Sequence, residues 1–248
     1  MQANSVISQK IWDSGYQNHE FFVSKNEREN RFIEEFLPNQ KGDLLEIGCF
    51  PGRFLPLLSQ KGYTLSGIDL TPRLSELPYW LTSIGCSIDK FYCEDFCKWT
   101  PDKKYDAVVS FCFVEHFINW HDIFEKHCNL VKEDGYLLVT FPNFKGKIQS
   151  FLHNWLDKTN FSYHYQGAMD IRQYRKICLK NNFEIIFCGY WGGFDFWLGG
   201  DAHPTFSQQY FLRLLYKMAR HGSKIPSYSW YSPYCGIVAK KKGCQSHA

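Results

Sequence analysis

From residue 43 onward, short runs of apolar, β-branched and aromatic residues alternate with stretches whose apolar positions recur every three to four residues. DLLEIG (43–48), YTLSGID (63–69), DKFYCED (89–95), YDAVVSFC (105–112), YLLVTF (136–141), FEIIFCGY (183–190) and CGIVAKK (235–241) predict seven strands. Helical segments are predicted after Gly52, Thr71, Trp120 and Asp170. In the last of them Ile171, Tyr174, Ile177, Cys178 and Leu179 form an apolar face behind Asp170, whose side chain suits an N-cap. Strand and helix in turn predict a doubly wound, mostly parallel α/β sheet with helices on both faces.

Three segments fall outside this alternation. Residues 1–42 read as one or two helices covering an end or face of the sheet, with Phe32, Ile33, Phe36 and Leu37 on one side. Residues 142–168 and 191–232 are too long for ordinary connections and predict lid-like insertions on the substrate side. Within the second, Phe206, Tyr210, Phe211, Leu214, Leu215 and Met218 form a wide apolar stripe, which suits a core face or a homodimer surface. YWGGFDFW (190–197) sets five aromatics around two glycines, a composition for a ring-binding wall or for closing the core. All 248 residues fit one domain.

Composition narrows the function classes. A net charge of +3 without a concentrated basic tract gives no basis for a nucleic-acid binder. No apolar run reaches the ~20 residues that span a bilayer, and the start lacks the apolar centre of a signal peptide, so a cytoplasmic location is expected. The ten cysteines, Cys244 included, have no C-x-x-C pair and read as reduced, mostly buried residues; no metal site is expected from them.

LLEIGCFPGRF (44–54) carries the chemistry. A buried-type strand ends at Gly48, and a helix is predicted to begin near Gly52, so backbone can approach a ligand closely. A dinucleotide fingerprint would need glycine where Phe50 and Arg53 stand, and a phosphate loop would need Gly-Lys where Arg53-Phe54 stands. Glu46 lies on the strand itself, and Asp69 ends the second strand 21 residues after Gly48, the distance at which an acid in this topology reaches ribose hydroxyls. Glu94-Asp95-Phe96 ends the third. Acids at three strand ends suit a ligand with a ribose, an adenine and an ammonium group and would repel a pyrophosphate.

In EIGCFPG, GIDL, CEDF, YDAVVSFCFVEHF and LVKEDGYLLVTFPN, taken in order, the chain resembles the class I S-adenosylmethionine-dependent methyltransferases over roughly residues 40–190 and the final strand. Phe50 departs from the family pattern, which has a second glycine there. The resemblance implies a Rossmann-like fold and S-adenosylmethionine as cofactor. Gly48, Cys49 and Gly52 would form the loop around its methionine portion, with Glu46 near the amino group. Asp69 would hold the ribose, Leu70 would pack on the adenine, Asp95 and Phe96 would recognise its amino edge, and the backbone of Ser110 and Phe111 would accept from the ammonium. Helix capping is the plain alternative for the acids.

Methyl transfer needs acceptor and donor aligned and water excluded, and a hydroxyl acceptor also needs a base. His116, just past the fourth strand, is the first candidate; His164 and His203 lie in the insertions, and His121 and His127 lack a metal-ligand spacing. The expected activity is O-methylation of a small molecule, a sugar, phenol or natural-product hydroxyl. N-methylation, RNA or protein methylation, and a non-catalytic binding module remain alternatives.

Overall fold

Leu44 and Leu45, adjacent in the first strand, are both wholly removed from water because side chains alternate across a sheet that is covered on both faces. The computed structural model describes residues 4–25, 27–200 and 202–243, so Cys244 lies outside the described residues. Its seven strands are β1 (Gly42–Ile47), β2 (Tyr63–Asp69), β3 (Ile88–Cys93), β4 (Tyr105–Phe111), β5 (Val131–Pro142), β6 (Phe183–Trp191) and β7 (Tyr234–Lys241). They form one sheet in the order β3-β2-β1-β4-β5-β7-β6. The first five pair in parallel, and β7 runs antiparallel between β5 and β6. The chain moves outward from β1 to β3 and then returns to β4, so a crevice opens at the strand ends between β1 and β4, where open α/β sheets bind ligands.

On one face, Leu45, Val108, Leu137 and Val139 pack with Phe124 and Tyr174, which come from α5 (Trp120–Asn129) and α8 (Ile171–Lys180). On the other, Leu44, Leu65, Val109 and Leu138 meet α2 (Arg28–Phe36), α3 (Leu55–Gln60) and α4 (Leu77–Ser83) through Phe32, Ile33, Leu55, Leu58, Leu77 and Leu81. Each such side chain contributes about 1.5–3 kcal/mol on burial, which makes these two layers the main source of stability. Asp170 caps α8 as its sequence position predicts, accepting from the Arg172 backbone N–H at 3.2 Å.

Strand β3 ends at Cys93, short of the predicted 95, and two further boundaries differ from the sequence reading for a backbone reason. Helix α3 begins at Leu55 because Gly52 adopts φ +81°, outside the helical region, and a backbone turn from Gly52 to Leu55 precedes the helix. Strand β5 starts at Val131, before the predicted 136, and passes through Asp134 at φ +61° beside a register irregularity.

The N-terminal segment lies along the crevice. Helix α1 (Gln9–Tyr16) follows a short stretch stitched to the turn after β4 by Val6 N–H to the His116 carbonyl and Ile118 N–H to the Asn4 carbonyl, both 2.8 Å. The Arg73 guanidinium donates to the carbonyls of Tyr16, Gln17 and His19 at the other end.

The two insertions pack on each other. Helix α6 (Lys147–Leu156), which is followed by the short α7 (Lys158–Ser162), meets α9 (Phe206–Gly222) over a small third core of Leu152, Leu156, Phe194, Phe196, Leu212, Leu215 and Tyr231. The stripe expected along α9 is corrected here. Leu212, Leu215, Ala219 and Gly222 face inward, whereas Phe206, Tyr210, Leu214 and Met218 are exposed. A spacing of four residues fits either side of a helix, and the inward side was taken by the smaller set. Trp191, Phe194 and Phe196 of the aromatic run are buried in core layers, so that run closes the fold.

Candidate active site

The crevice between β1 and β4 holds a pocket of about 800 Å³ of empty space, its solvent-open mouth included. Gly48, Asp69, Leu70, Phe96, Phe111 and His116 line it, so the fold brings together six of the residues selected from sequence. Glu46, Cys49, Gly52, Asp95 and Ser110 do not line it.

Gly48 closes the turn after β1: its N–H donates to the Ile68 carbonyl at 2.9 Å, and its φ of +70° is one that L side chains rarely adopt. A Cβ there would stand 2.5 Å from the Phe113 ring, so backbone and ring share a space that only glycine leaves free. Asp69 sits at the end of β2 with one carboxylate oxygen accepting from Phe50 N–H at 3.1 Å and the other from Thr71 N–H at 3.0 Å. Burial pushes its pKa up to about 6, against the opposing pull of these backbone donors. Glu46 is buried behind the turn; its Oε2 finds no hydrogen-bond partner among the described residues, and burial, reinforced by the Asp69 charge, holds its pKa well above the usual range. A buried carboxyl without a donor is costly unless a cation or donor meets it.

At the third strand end the roles shift by one residue. Asp95 turns back to accept from the Cys97 N–H at 2.9 Å, capping its own turn, and Glu94 lines the pocket instead. Phe96 is held from behind by Lys126, which donates to the Phe96 and Trp99 carbonyls at 2.5 Å each.

His116 is buried at the rim, with Nδ1 2.7 Å from the Tyr163 carbonyl oxygen. A carbonyl can only accept, so Nδ1 carries the proton and Nε2 keeps its lone pair. Burial lowers its pKa to about 4, although the Tyr163 and Cys112 carbonyls favour the charged ring, so the imidazole is neutral at pH 7. Beside it Glu115 is fully buried with both oxygens unpartnered among the described residues, and burial raises its pKa to about 8. His164 packs 4.7 Å from the His116 ring and gives Nδ1–H to the Asn160 carbonyl. Glu115, His116 and His164 offer ligand-type atoms within 4.8 Å of one another, a set able to hold a divalent ion, which the spacing argument did not foresee. His203 is exposed and outside the pocket, His121 stacks on Trp120, and His127 bonds the Ile123 carbonyl beneath Phe96.

Sequence reasoning missed the N-terminal wall. Ser5, Gln9, Trp12 and Tyr16 line the pocket, with Trp12 edge-on to His116 at 5.0 Å and Tyr16 edge-on to Phe50 at 4.8 Å. The i, i+4 spacing of Trp12 and Tyr16 was the available signal. Phe50, whose side chain is buried, Phe113 and Phe117 complete an aromatic lining.

These residues fit S-adenosylmethionine. The orphaned Glu46 oxygen behind the turn and the Asp69 carboxylate would suit a cation and hydroxyl groups, and the Gly48 turn leaves a cradle that a Cβ would fill.

Residues 20–186 match the methyltransferase-domain family. No curated protein matches the chain by sequence. Among solved structures, magnesium protoporphyrin IX methyltransferase from Synechocystis with bound S-adenosylhomocysteine aligns at TM-score 0.54 and 13% identity, over 94% of this chain and 93% of that one. N-methyltransferase NodS from Bradyrhizobium japonicum, also with S-adenosylhomocysteine, aligns at 0.53 and 13%, over 96% and 94%. The cyclase SpnF aligns at 0.57 and 14%, over 97% of each chain.

Proposed function

The chain belongs to the methyltransferase-domain family and is an S-adenosylmethionine-dependent methyltransferase of class I, and from that premise we propose that it methylates a hydroxyl oxygen of a small, ring-bearing molecule. The observation that carries this reading is the neutral His116 imidazole on the rim of an aromatic pocket, with Nδ1 held by the Tyr163 carbonyl. A hydroxyl acceptor requires such a base; an amine in its free-base form does not.

When bound, the cofactor supplies an electrophilic methyl group on its sulfonium. The chain does the rest by placement. Asp69 would take the ribose hydroxyls, and Leu70 and Phe96 would border the base, with Glu94 nearer its amino edge than Asp95; Glu46, behind the Gly48 turn with Oε2 unpartnered among the described residues, would answer the amino group. Trp12, Phe113 and Phe117 would hold the acceptor ring next to His116 and keep water out, so that attack on the methyl carbon is in line. The acceptor proton goes to His116 Nε2. An aromatic lining favours a phenolic or similar ring-borne hydroxyl over a bare sugar.

Formation of S-adenosylhomocysteine with a panel of phenols, other alcohols and amines tests the reading. Turnover on hydroxyl acceptors is expected, with His116→Gln lowering kcat roughly a hundredfold or more at unchanged cofactor affinity. Turnover confined to amines, or full activity in His116→Gln, would overturn it.

A further inference from the structure

The outward side of α9 has apolar groups and cations but no acid. Phe206 is 90% exposed and Tyr210 77%, with Leu214 and Met218 continuing the row at four-residue steps. Trp155 packs on Phe211 at 5.1 Å while remaining half in solvent, and exposed Phe151 lies 6.1 Å from Trp155, so the row broadens onto α6. At 3.6 residues per turn, Arg213, Lys217 and Arg220 run along the other side of the Phe206–Tyr210 line, still opposite the buried Leu212–Leu215–Ala219 side. The sequence has no Asp or Glu from 202 to 248. In 142–168 the one acid is Asp157, which is 3% exposed and spent on Gly199 N–H and Asn160.

We propose that this face docks on an anionic lipid bilayer, with Phe206, Tyr210, Leu214 and Met218 entering the headgroup–acyl boundary and Arg213, Lys217 and Arg220 meeting lipid phosphates. Charge complementarity selects the occupant. A second copy would set three cations against the same three with no acid on either side, which repels. A nucleic acid would answer the cations but leave Leu214 and Met218 without an apolar partner. A bilayer surface satisfies both rows, as in-plane amphipathic helices with aromatic and basic residues do. No helix among the described residues is long and apolar enough to cross a membrane, so the contact is peripheral. It stands apart from the methyl-transfer pocket and from the identity of the acceptor.

Vesicle flotation of the full chain tests it, comparing phosphatidylcholine alone with phosphatidylcholine–phosphatidylglycerol mixtures. Binding to the mixed vesicles alone is expected, weakening with added salt. Phe206→Ser with Tyr210→Ser should weaken it tenfold or more. Arg213→Gln and Lys217→Gln should each weaken it about fivefold. Circular dichroism and S-adenosylmethionine affinity of these variants should match the wild type, since the altered side chains are exposed. No binding to mixed vesicles, equal binding to neutral ones, a dimer dissolved by Phe206→Ser, or tighter capture by nucleic acid than by lipid would each overturn the proposal.

Discussion

The crevice and the insertion face are opposites in what they leave unanswered. Behind the crevice walls, polar groups are buried without partners among the described residues: Glu46 Oε2 behind the Gly48 turn and both oxygens of Glu115 beside His116. On α9 and α6, large apolar groups stand in water without cover: Phe206, Tyr210 and Phe151. Folding alone favours neither, because an unpartnered buried carboxyl costs on the order of 1–3 kcal/mol and an exposed ring forgoes a comparable gain. Each region is therefore shaped toward something outside the chain. On the readings proposed above, the crevice would take a polar, cationic small molecule, and the outer face an apolar surface with negative charge.

The largest expected effect comes from closing the cradle. Gly48→Ala places a methyl group 2.5 Å from Phe113 at a φ of +70°, so S-adenosylmethionine affinity measured by calorimetry should fall a hundredfold or more. An affinity within threefold of wild type would show that the turn does not shape the site.

A smaller effect should appear in stability against pH. Glu115 is raised by burial from the ordinary 4.5 to about 8, so the folded chain holds a proton that the unfolded chain releases. Its contribution is complete below about pH 4.5 and is lost as pH rises through about 8. Glu46 and Asp69, also raised, act in the same direction. Glu115→Gln should flatten the decline in urea midpoint between pH 5 and 8; an unchanged slope would contradict the buried-acid picture.

The smallest effect sharpens the other side of the comparison. Phe206→Ser and Tyr210→Ser should shift unfolding free energy by no more than about 0.5 kcal/mol, because neither ring belongs to a core layer. A loss of several kcal/mol would mean that the face is covered by the protein itself.

The sheet was legible because parallel strands covered on both faces read as nearly unbroken apolar runs, and β2, β4 and β7 lie within one residue of their predicted ends. Gly48 and Asp69 were legible because strand ends and glycine turns are local features. Asp95 and Glu94 were not separable, since a one-residue step at a strand end reverses the direction of a side chain. The Trp12–Tyr16 wall was hidden because α1 is placed by distant partners, chiefly Arg73 at the Tyr16 and His19 carbonyls. The direction of the α9 stripe was hidden because helical spacing names a face without saying what covers it.

The central claim is that the Asp69 carboxylate in the β1–β4 crevice holds the ribose of S-adenosylmethionine. Its most direct test is calorimetry of S-adenosylmethionine binding at pH 6 in two buffers of different ionisation enthalpy. Because about half of Asp69 is protonated there and the ribose hydroxyls favour the ionised form, the account predicts proton release on binding. It also predicts that both this release and at least tenfold of the affinity are lost in Asp69→Asn. Binding of undiminished strength in Asp69→Asn, or none in the wild type, would contradict it.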